Sequence, residues 1–228
     1  MDILKPVSAE APNVEQRGGM MAIIPPDGCT RVVKVQGKIA KRMADLTILK
    51  AILEGCGNAL QQIHIIPAEN KIVREFCVYG AATRFFSCFS RSDTTMVLTP
   101  KKIAADLPGK EIWLQNFQWW EAHRNNMIAH SQSVLDNAIV GVIVGPKGTA
   151  VDVQTFSFTT SFVTEDAVRA LRELVGGAYA WIDAAYKTCD ARLRGEFVKA
   201  TPEELAGMED ALMHIPHTTD AHEVLRRY

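Results

Sequence analysis

The sequence predicts a mainly α protein: a helical bundle of about four main helices with a β-hairpin inserted before the last long helix. Apolar residues recur at spacings of three, four or seven before residue 134, which is the period of an amphipathic helix. At about residues 138 to 162 the period becomes β-like, and helical spacing then returns. The 228 residues are enough for one large domain or two small ones with a sizeable core.

Three helices are predicted before the hairpin. The first ends before Pro67, because the residue preceding a proline avoids helical backbone angles. Its expected buried stripe is Ile39, Met43, Leu46, Leu49, Leu53, Leu60 and Ile63. The expected buried stripe of the second helix is Ile72, Phe76, Tyr79, Phe86 and Phe89. The third helix is predicted to run from about Glu111 to near Ser133.

The hairpin is predicted from a change of composition as well as of period. "AIVGVIV" is rich in β-branched residues and "GPKG" is typical of a turn. Val151 and Val153 then alternate with Asp152 and Gln154, as in a strand with one polar face. After this hairpin Thr164 can cap a long helix.

The ends of the chain are predicted to lie outside the main domain. Prolines and glycines interrupt residues 1 to 37, which we interpret as a flexible N-terminal arm. The helical domain is assigned to residues 38 to 195. Thr201, Pro202 and Glu204 have the pattern of a capping box with proline at the first helical position. We therefore expect a short C-terminal helix and a tail at residues 196 to 228.

Composition excludes several classes of protein. The formal net charge of -1 provides no overall positive field for nucleic acid. The five cysteines are scattered without a C-x-x-C pair, so neither a zinc ribbon nor a disulfide framework is indicated. There is no secretory signal pattern at the start and no apolar run long enough for a membrane helix. A reduced, soluble, cytoplasmic protein is expected.

The stretch "WWEAHRNNMIAHSQS" concentrates polar side chains on a predicted helix. His123 and His130 lie nearly in line because seven residues make almost two turns, and Asn126 lies one turn before His130. Two residues seven apart are about 10 Å apart along the axis, which is too far for both to bind one metal ion. We therefore expect no metal site and no cofactor here. A metal site at the tail histidines, His214, His217 and His222, is also not expected.

"RNNMIAHS" resembles the signature of the HEPN superfamily, an arginine followed four to six residues later by a histidine. Five residues separate Arg124 from His130, and Asn125 follows the arginine as a polar residue often does in that family. The sequence of this motif is similar to that of standalone bacterial proteins related to abortive-infection toxins. The layout of helices and a β-rich insertion is also similar, over roughly residues 38 to 195.

The resemblance implies a metal-independent endoribonuclease, a toxin or phage-defence protein that cleaves RNA by 2′-hydroxyl attack at a composite homodimer site. His130 would be the acid/base group and Arg124 would bind the scissile phosphate, with Asn125 orienting the arginine. The supporting candidates are His123, Asn126, Arg84 and Tyr79. The implied partners are a second copy, an RNA substrate, and an antitoxin or defence partner.

Two alternatives stay open at this point. The chain could be a catalytically inactive HEPN-type protein that binds a nucleotide or a partner, since the slightly acidic charge adds nothing to RNA affinity. It could also be a structural helical protein in which Arg124 and His130 only satisfy buried groups. Cleavage of RNA in the presence of EDTA separates the first reading from both alternatives.

Overall fold

The computed structural model describes residues 14–17, 20–90, 95–125, 136–144, 146, 150–159 and 163–214. Its elements are β1 (Val14–Arg17), β2 (Met20–Ile23), α1 (Lys38–Gln62), α2 (Lys71–Ser87), α3 (Pro100–Ala105), α4 (Lys110–His123), β3 (Asp136–Val144), β4 (Ala150–Thr159), α5 (Glu165–Phe197), α6 (Pro202–Ala206) and β5 (Leu212–His214). The prediction of a mainly helical protein with a hairpin before the last long helix is confirmed. The chain divides into a central unit, residues 44–187, and a terminal unit, residues 1–43 with 188–228.

Within the central unit, α1 and α5 form an antiparallel pair. Three polar contacts join them, Lys50 to Asp183, Glu54 to Tyr179 and Leu60 to Arg172. The partner number on α5 falls as the number on α1 rises, which fixes the antiparallel direction. The fully buried side chains of the two helices include Leu46, Leu49, Leu53, Leu60, Leu171, Leu174 and Ile182.

The predicted stripe of α1 is confirmed over its central-unit length. Leu46, Leu49, Leu53 and Leu60 are each at most 2% exposed, and Ile63 just after the helix is 1% exposed. Ile39 and Met43, at the start of the helix, are only half-buried. The helix ends at Gln62, before Pro67 as predicted.

The predicted stripe of α2 is wrong in its first half. Ile72 is 69% exposed and Phe76 is 71% exposed, whereas Phe86 is 2% exposed. The buried residues of α2 are Val78, Ala81, Ala82, Phe85 and Phe86. Their spacing of three, four and one defines a face on the other side of the helix from Ile72 and Phe76. Three of these five residues, Val78, Ala81 and Ala82, have small side chains, so counting only large apolar side chains missed that part of the face.

Two tryptophans of α4 position this helix against α5. Trp120 is fully buried and its Nε1 donates to the carbonyl oxygen of Ala167 at 3.2 Å. Trp113 lies over Gly177, where an added Cβ would be 2.7 Å from the indole Nε1 and 2.8 Å from Cδ1 of Leu107. Close approach of the aromatic ring therefore depends on the missing side chain of Gly177.

The hairpin predicted at about 138 to 162 is confirmed as an antiparallel β3–β4 pair. Its register runs from Asp136 opposite Thr159 to Val144 opposite Ala150, with an irregularity between Ile143 and Val144. Asp152 and Gln154 are exposed, and Gln154 Nε2 donates to Asp152 Oδ2 at 2.9 Å. The alternation predicted for this strand therefore places its polar residues in solvent.

The terminal unit differs from the predicted arm and tail. β2 lies between β1 and β5 in an antiparallel three-stranded sheet. Arg31 Nη2 donates to the carbonyl oxygen of Met208 at 2.6 Å, and its Nη2 lies 2.8 Å from Asp210 Oδ1. Described residues of the 1 to 37 segment thus pair with residues of the 196 to 228 segment. These partners are 179 residues apart in the case of Arg31 and Asp210, so local patterns did not indicate the pairing.

The capping box predicted at the start of α6 is confirmed. The side chain of Thr201 accepts a hydrogen bond from the backbone N–H of Glu204 at 3.2 Å, and the Glu204 carboxylate accepts one from the N–H of Thr201 at 2.8 Å. Pro202 occupies the first turn. Among the described helices, none combines the length and apolarity that crossing a membrane requires.

Candidate functional site

An aromatic cluster between α2 and α4 forms the base of the candidate site. The rings of Phe86 and Phe117 are 5.0 Å apart, and those of Phe89 and Phe117 are 4.8 Å apart. Trp113 stacks on Phe117 at 5.6 Å. Tilted and stacked rings at these distances pack favourably. The cluster therefore holds the end of α2 against the middle of α4.

Arg124 lies at the end of α4, above this cluster. It follows His123, the last residue of α4, and it continues with Asn125 into a wider, π-type turn. The guanidinium carbon is 5.8 Å from the centroid of the Phe86 ring, within the range of a cation–π contact. Single π-type turns are frequent at functional sites. The helix end thus brings a cation over the aromatic ring.

Hydrogen bonds hold the guanidinium from both ends. Nη1 of Arg124 donates to Asn125 Oδ1 at 2.7 Å, and Nη2 donates to Ser90 Oγ at 3.4 Å. Nε is buried and has no hydrogen-bond partner in the part of the chain that the structure describes. No ion pair joins Arg124 to a carboxylate of these residues. The guanidinium is oriented by neutral groups, and its positive charge is uncompensated within the described chain.

His123 makes ring contacts. Its imidazole stacks on Trp119 at 5.3 Å with an interplanar angle of 8°, and it meets the edge of Trp120 at 5.9 Å. Burial lowers the pKa of His123 to about 4, because a charged imidazole is poorly solvated there. His123 is therefore neutral at pH 7 and cannot act there as an imidazolium acid.

The other supporting candidates lie elsewhere. Arg84 is exposed, and its positive charge acts on the thiols of Cys56 and Cys88. Phe86 is two positions further along the helix, a rotation of about 200°, so Arg84 is on the opposite side of α2 from the ring that Arg124 contacts. Arg84 is not brought to Arg124. Tyr79 is half-buried, two turns before Phe86 on the same face of α2.

The remaining predicted site residues fall outside the described residues. His130, Asn126 and the end of the third predicted helix near Ser133 are among them. Among the residues described, no group of three or more metal-binding side chains comes together. His217 and His222 of the tail are outside the described chain as well.

Sequence reasoning missed Ser90, whose hydroxyl meets Arg124 across 34 residues of sequence. It treated Phe86 as core only, although that ring also contacts the guanidinium. Arg124 and Ser90 are 34 residues apart, each just after a different helix, so no local pattern signals their contact. Comparison of the chain with known protein families, characterised proteins and solved structures found no match.

Proposed function

We propose that this protein is a metal-independent endoribonuclease of HEPN type, in which Arg124 binds the scissile phosphate of RNA and His130 transfers protons. The observation that supports it is the state of Arg124: an oriented guanidinium, half-buried, with no carboxylate paired to it among the described residues. An arginine in this state is suited to a phosphate, because its fork of donors matches two phosphate oxygens.

In the proposed reaction the ribose 2′-oxygen attacks the adjacent phosphorus. A new bond from the 2′-oxygen to phosphorus forms while the bond from phosphorus to the 5′-oxygen breaks. One His130 imidazole accepts the 2′-hydroxyl proton, and the protonated His130 imidazole of the second copy donates a proton to the departing 5′-oxygen. The products are a 2′,3′-cyclic phosphate and a 5′-hydroxyl, and no metal ion is required. An unperturbed histidine side chain has a pKa of about 6.5, which suits proton transfer at neutral pH.

Arg124 would stabilise the charge that accumulates on the phosphorane-like transition state. Asn125 and Ser90 would hold the guanidinium in one orientation through the bonds at 2.7 and 3.4 Å. A positioned donor does not have to reorganise when the charge develops, so it lowers the barrier more than a mobile one. Asn125 and Ser90 are thus positioning residues in this proposal.

Each chain carries the motif once, so we propose that two copies of Arg124 and His130 form the site in a homodimer. A second copy would bring a second guanidinium to the cleft, which makes the cleft locally positive although each chain has a formal net charge of -1. A cytoplasmic toxin or defence nuclease fits the five cysteines, all of which are free thiols. An antitoxin or a defence partner would then restrain the activity.

The test is cleavage of a labelled RNA by the purified protein in EDTA. His130→Ala and Arg124→Gln should abolish cleavage while circular dichroism and melting temperature stay near those of the natural protein. Arg169→Gln is the matched control, because Arg169 is an exposed arginine of α5 paired with Asp166, and it should cleave at the natural rate. Cleavage that survives His130→Ala would refute the proposed mechanism.

A second candidate function is nucleotide or RNA binding at Arg124 without cleavage. It is favoured by His123, the imidazole that the structure describes beside Arg124, whose pKa of about 4 removes it from proton transfer at pH 7. Binding of an RNA oligonucleotide that is lost in Arg124→Gln, with no cleavage of any RNA supplied, would select this candidate. A lower melting temperature of Arg124→Gln, together with no binding of RNA by the natural protein, would contradict both functions.

A further inference from the structure

A groove between α1 and α5 forms the second polar site of the central unit. It has a volume of about 500 Å³, within the range of pockets that hold small molecules. Leu53, Leu60 and Val175 line its base with apolar surface. Gly57 of α1 and Gly176 of α5 both line it, and an added Cβ at either would meet nothing within 4 Å. The missing side chains keep the groove open.

One end of the groove is acidic. The Glu54 Oε1 accepts a hydrogen bond from the hydroxyl of Tyr179 at 2.9 Å, and both residues line the groove. Neighbouring Lys50 is 2.8 Å from Asp183, a carboxylate that Lys187 also approaches to 2.7 Å. Within the described chain the Glu54 carboxylate has no ion-pair partner. One carboxylate oxygen is therefore left for a cationic group.

The other end of the groove is basic. Arg172 Nη2 donates to the carbonyl oxygen of Leu60 at 2.8 Å, and its Nε is buried without a hydrogen-bond partner among the residues described. Arg172 has no ion pair with a described carboxylate. It precedes Tyr179 by seven residues, so the basic and acidic ends are about 10 Å apart along the helix. Two opposite charges thus face one groove without partners of their own.

We propose that this groove binds a small zwitterion of short-peptide size. The ligand carboxylate pairs with Arg172, the ligand ammonium pairs with Glu54, and an aliphatic body covers the leucines of the base. The side-chain amides of Asn58 and Gln61, which also line the groove, each offer a donor and an acceptor to a peptide group. Charge complementarity at both ends selects this occupant over an anion or a cation alone. The site does not depend on the function proposed for Arg124.

The probe is the tripeptide Leu-Ala-Leu with free termini, whose three residues span about 10 Å when fully extended. Calorimetric titration of the full chain should give saturable binding. The N-acetylated and the C-amidated peptides should each bind about ten-fold more weakly or worse, because each loses one charge-assisted contact. Equal affinity for the free and both capped peptides, or no saturable binding of the free peptide, would overturn the proposal.

Variants assign each end of the ligand. Arg172→Gln should weaken binding of the free peptide about ten-fold and leave binding of the amidated peptide unchanged, because that peptide has no carboxylate. Glu54→Gln should weaken binding of the free peptide about ten-fold and leave binding of the acetylated peptide unchanged, because that peptide has no ammonium group. Gly176→Leu fills the groove with a side chain where space is open, so it should abolish binding while the melting temperature holds or rises. Undiminished binding by Gly176→Leu would place the peptide elsewhere. If Arg172→Gln does not fold, the capped peptides with the natural protein still decide the outcome.

Discussion

Two adjacent glycines of α5 offer a matched test of the packing in the central unit. In Gly177→Ala the new Cβ would be 2.7 Å from Trp113 Nε1 and 2.8 Å from Leu107 Cδ1, whereas in Gly176→Ala it would meet nothing within 4 Å. Both changes gain helix propensity, about 1 kcal/mol relative to glycine. Overpacking a well-packed site costs about 1 to 3 kcal/mol. Gly176→Ala should therefore stabilise the protein, and Gly177→Ala should be less stable than Gly176→Ala by about 1 to 3 kcal/mol.

Urea unfolding of the two variants and the natural protein measures this difference directly, from midpoints compared at equal slopes. Trp113→Phe removes the Nε1 that the new Cβ would approach. In that background the penalty of Gly177→Ala should shrink, which a double-mutant cycle reports as coupling between the two positions. Equal stability of Gly177→Ala and Gly176→Ala in the natural background would refute the close packing of Trp113 on Gly177.

Three further changes test other parts of the structure. Phe86→Ala should lower the free energy of unfolding by about 3 to 5 kcal/mol, because the Phe86 ring is 2% exposed. Phe76→Ala should change it by less than about 0.5 kcal/mol, because the Phe76 ring is 71% exposed. Equal losses would contradict the assigned face of α2. Burial lowers the pKa of His123 to about 4, so the unfolded chain binds a proton more readily than the folded one, and the free energy of unfolding should fall as pH drops from about 6.5 towards 4. His123→Phe should remove this pH dependence. A midpoint near pH 6.5 for His123 in a proton NMR titration would refute the prediction. Hydrogen bonds from Lys187 and Lys50 lower the pKa of Asp183 from 3.8 to about 2. The ionised Asp183 therefore stabilises the fold fully above about pH 4, and this stabilisation is lost as pH falls towards 2. Asp183→Asn should not show this loss in acid unfolding.

Local sequence patterns predicted those parts of the fold that local physics determines. The stripe of α1 followed from leucine spacing, and the capping box at Thr201 followed from three residues of sequence. The face of α2 could not be found this way, because small residues such as Ala81 and Ala82 pack closely there and leave Phe76 in solvent. Which face of a helix is buried depends on what packs against it, and spacing alone does not contain that information.

The candidate site was predicted only where its residues are adjacent in sequence. Arg124 and Asn125 are neighbours, and their hydrogen bond agrees with the orienting role expected of the asparagine. Phe86 lies in α2 and Ser90 follows that helix, and neither was associated with the arginine. Arg84 was expected to support the site, but it lies about 200° around α2 from Phe86, the ring that Arg124 contacts. His130 stays a prediction that cleavage assays can test.

The antiparallel pairing of α1 with α5 has a consequence for synthesis of the chain. The contact between Lys50 and Asp183 closes 133 residues of sequence, so α1 leaves the ribosome long before its partner exists. Until α5 emerges, the part of α1 that contacts α5 lacks this partner. Nascent chains that end before α5 should therefore bind chaperones that recognise exposed apolar helices, and release should follow once residues beyond Asp183 are translated.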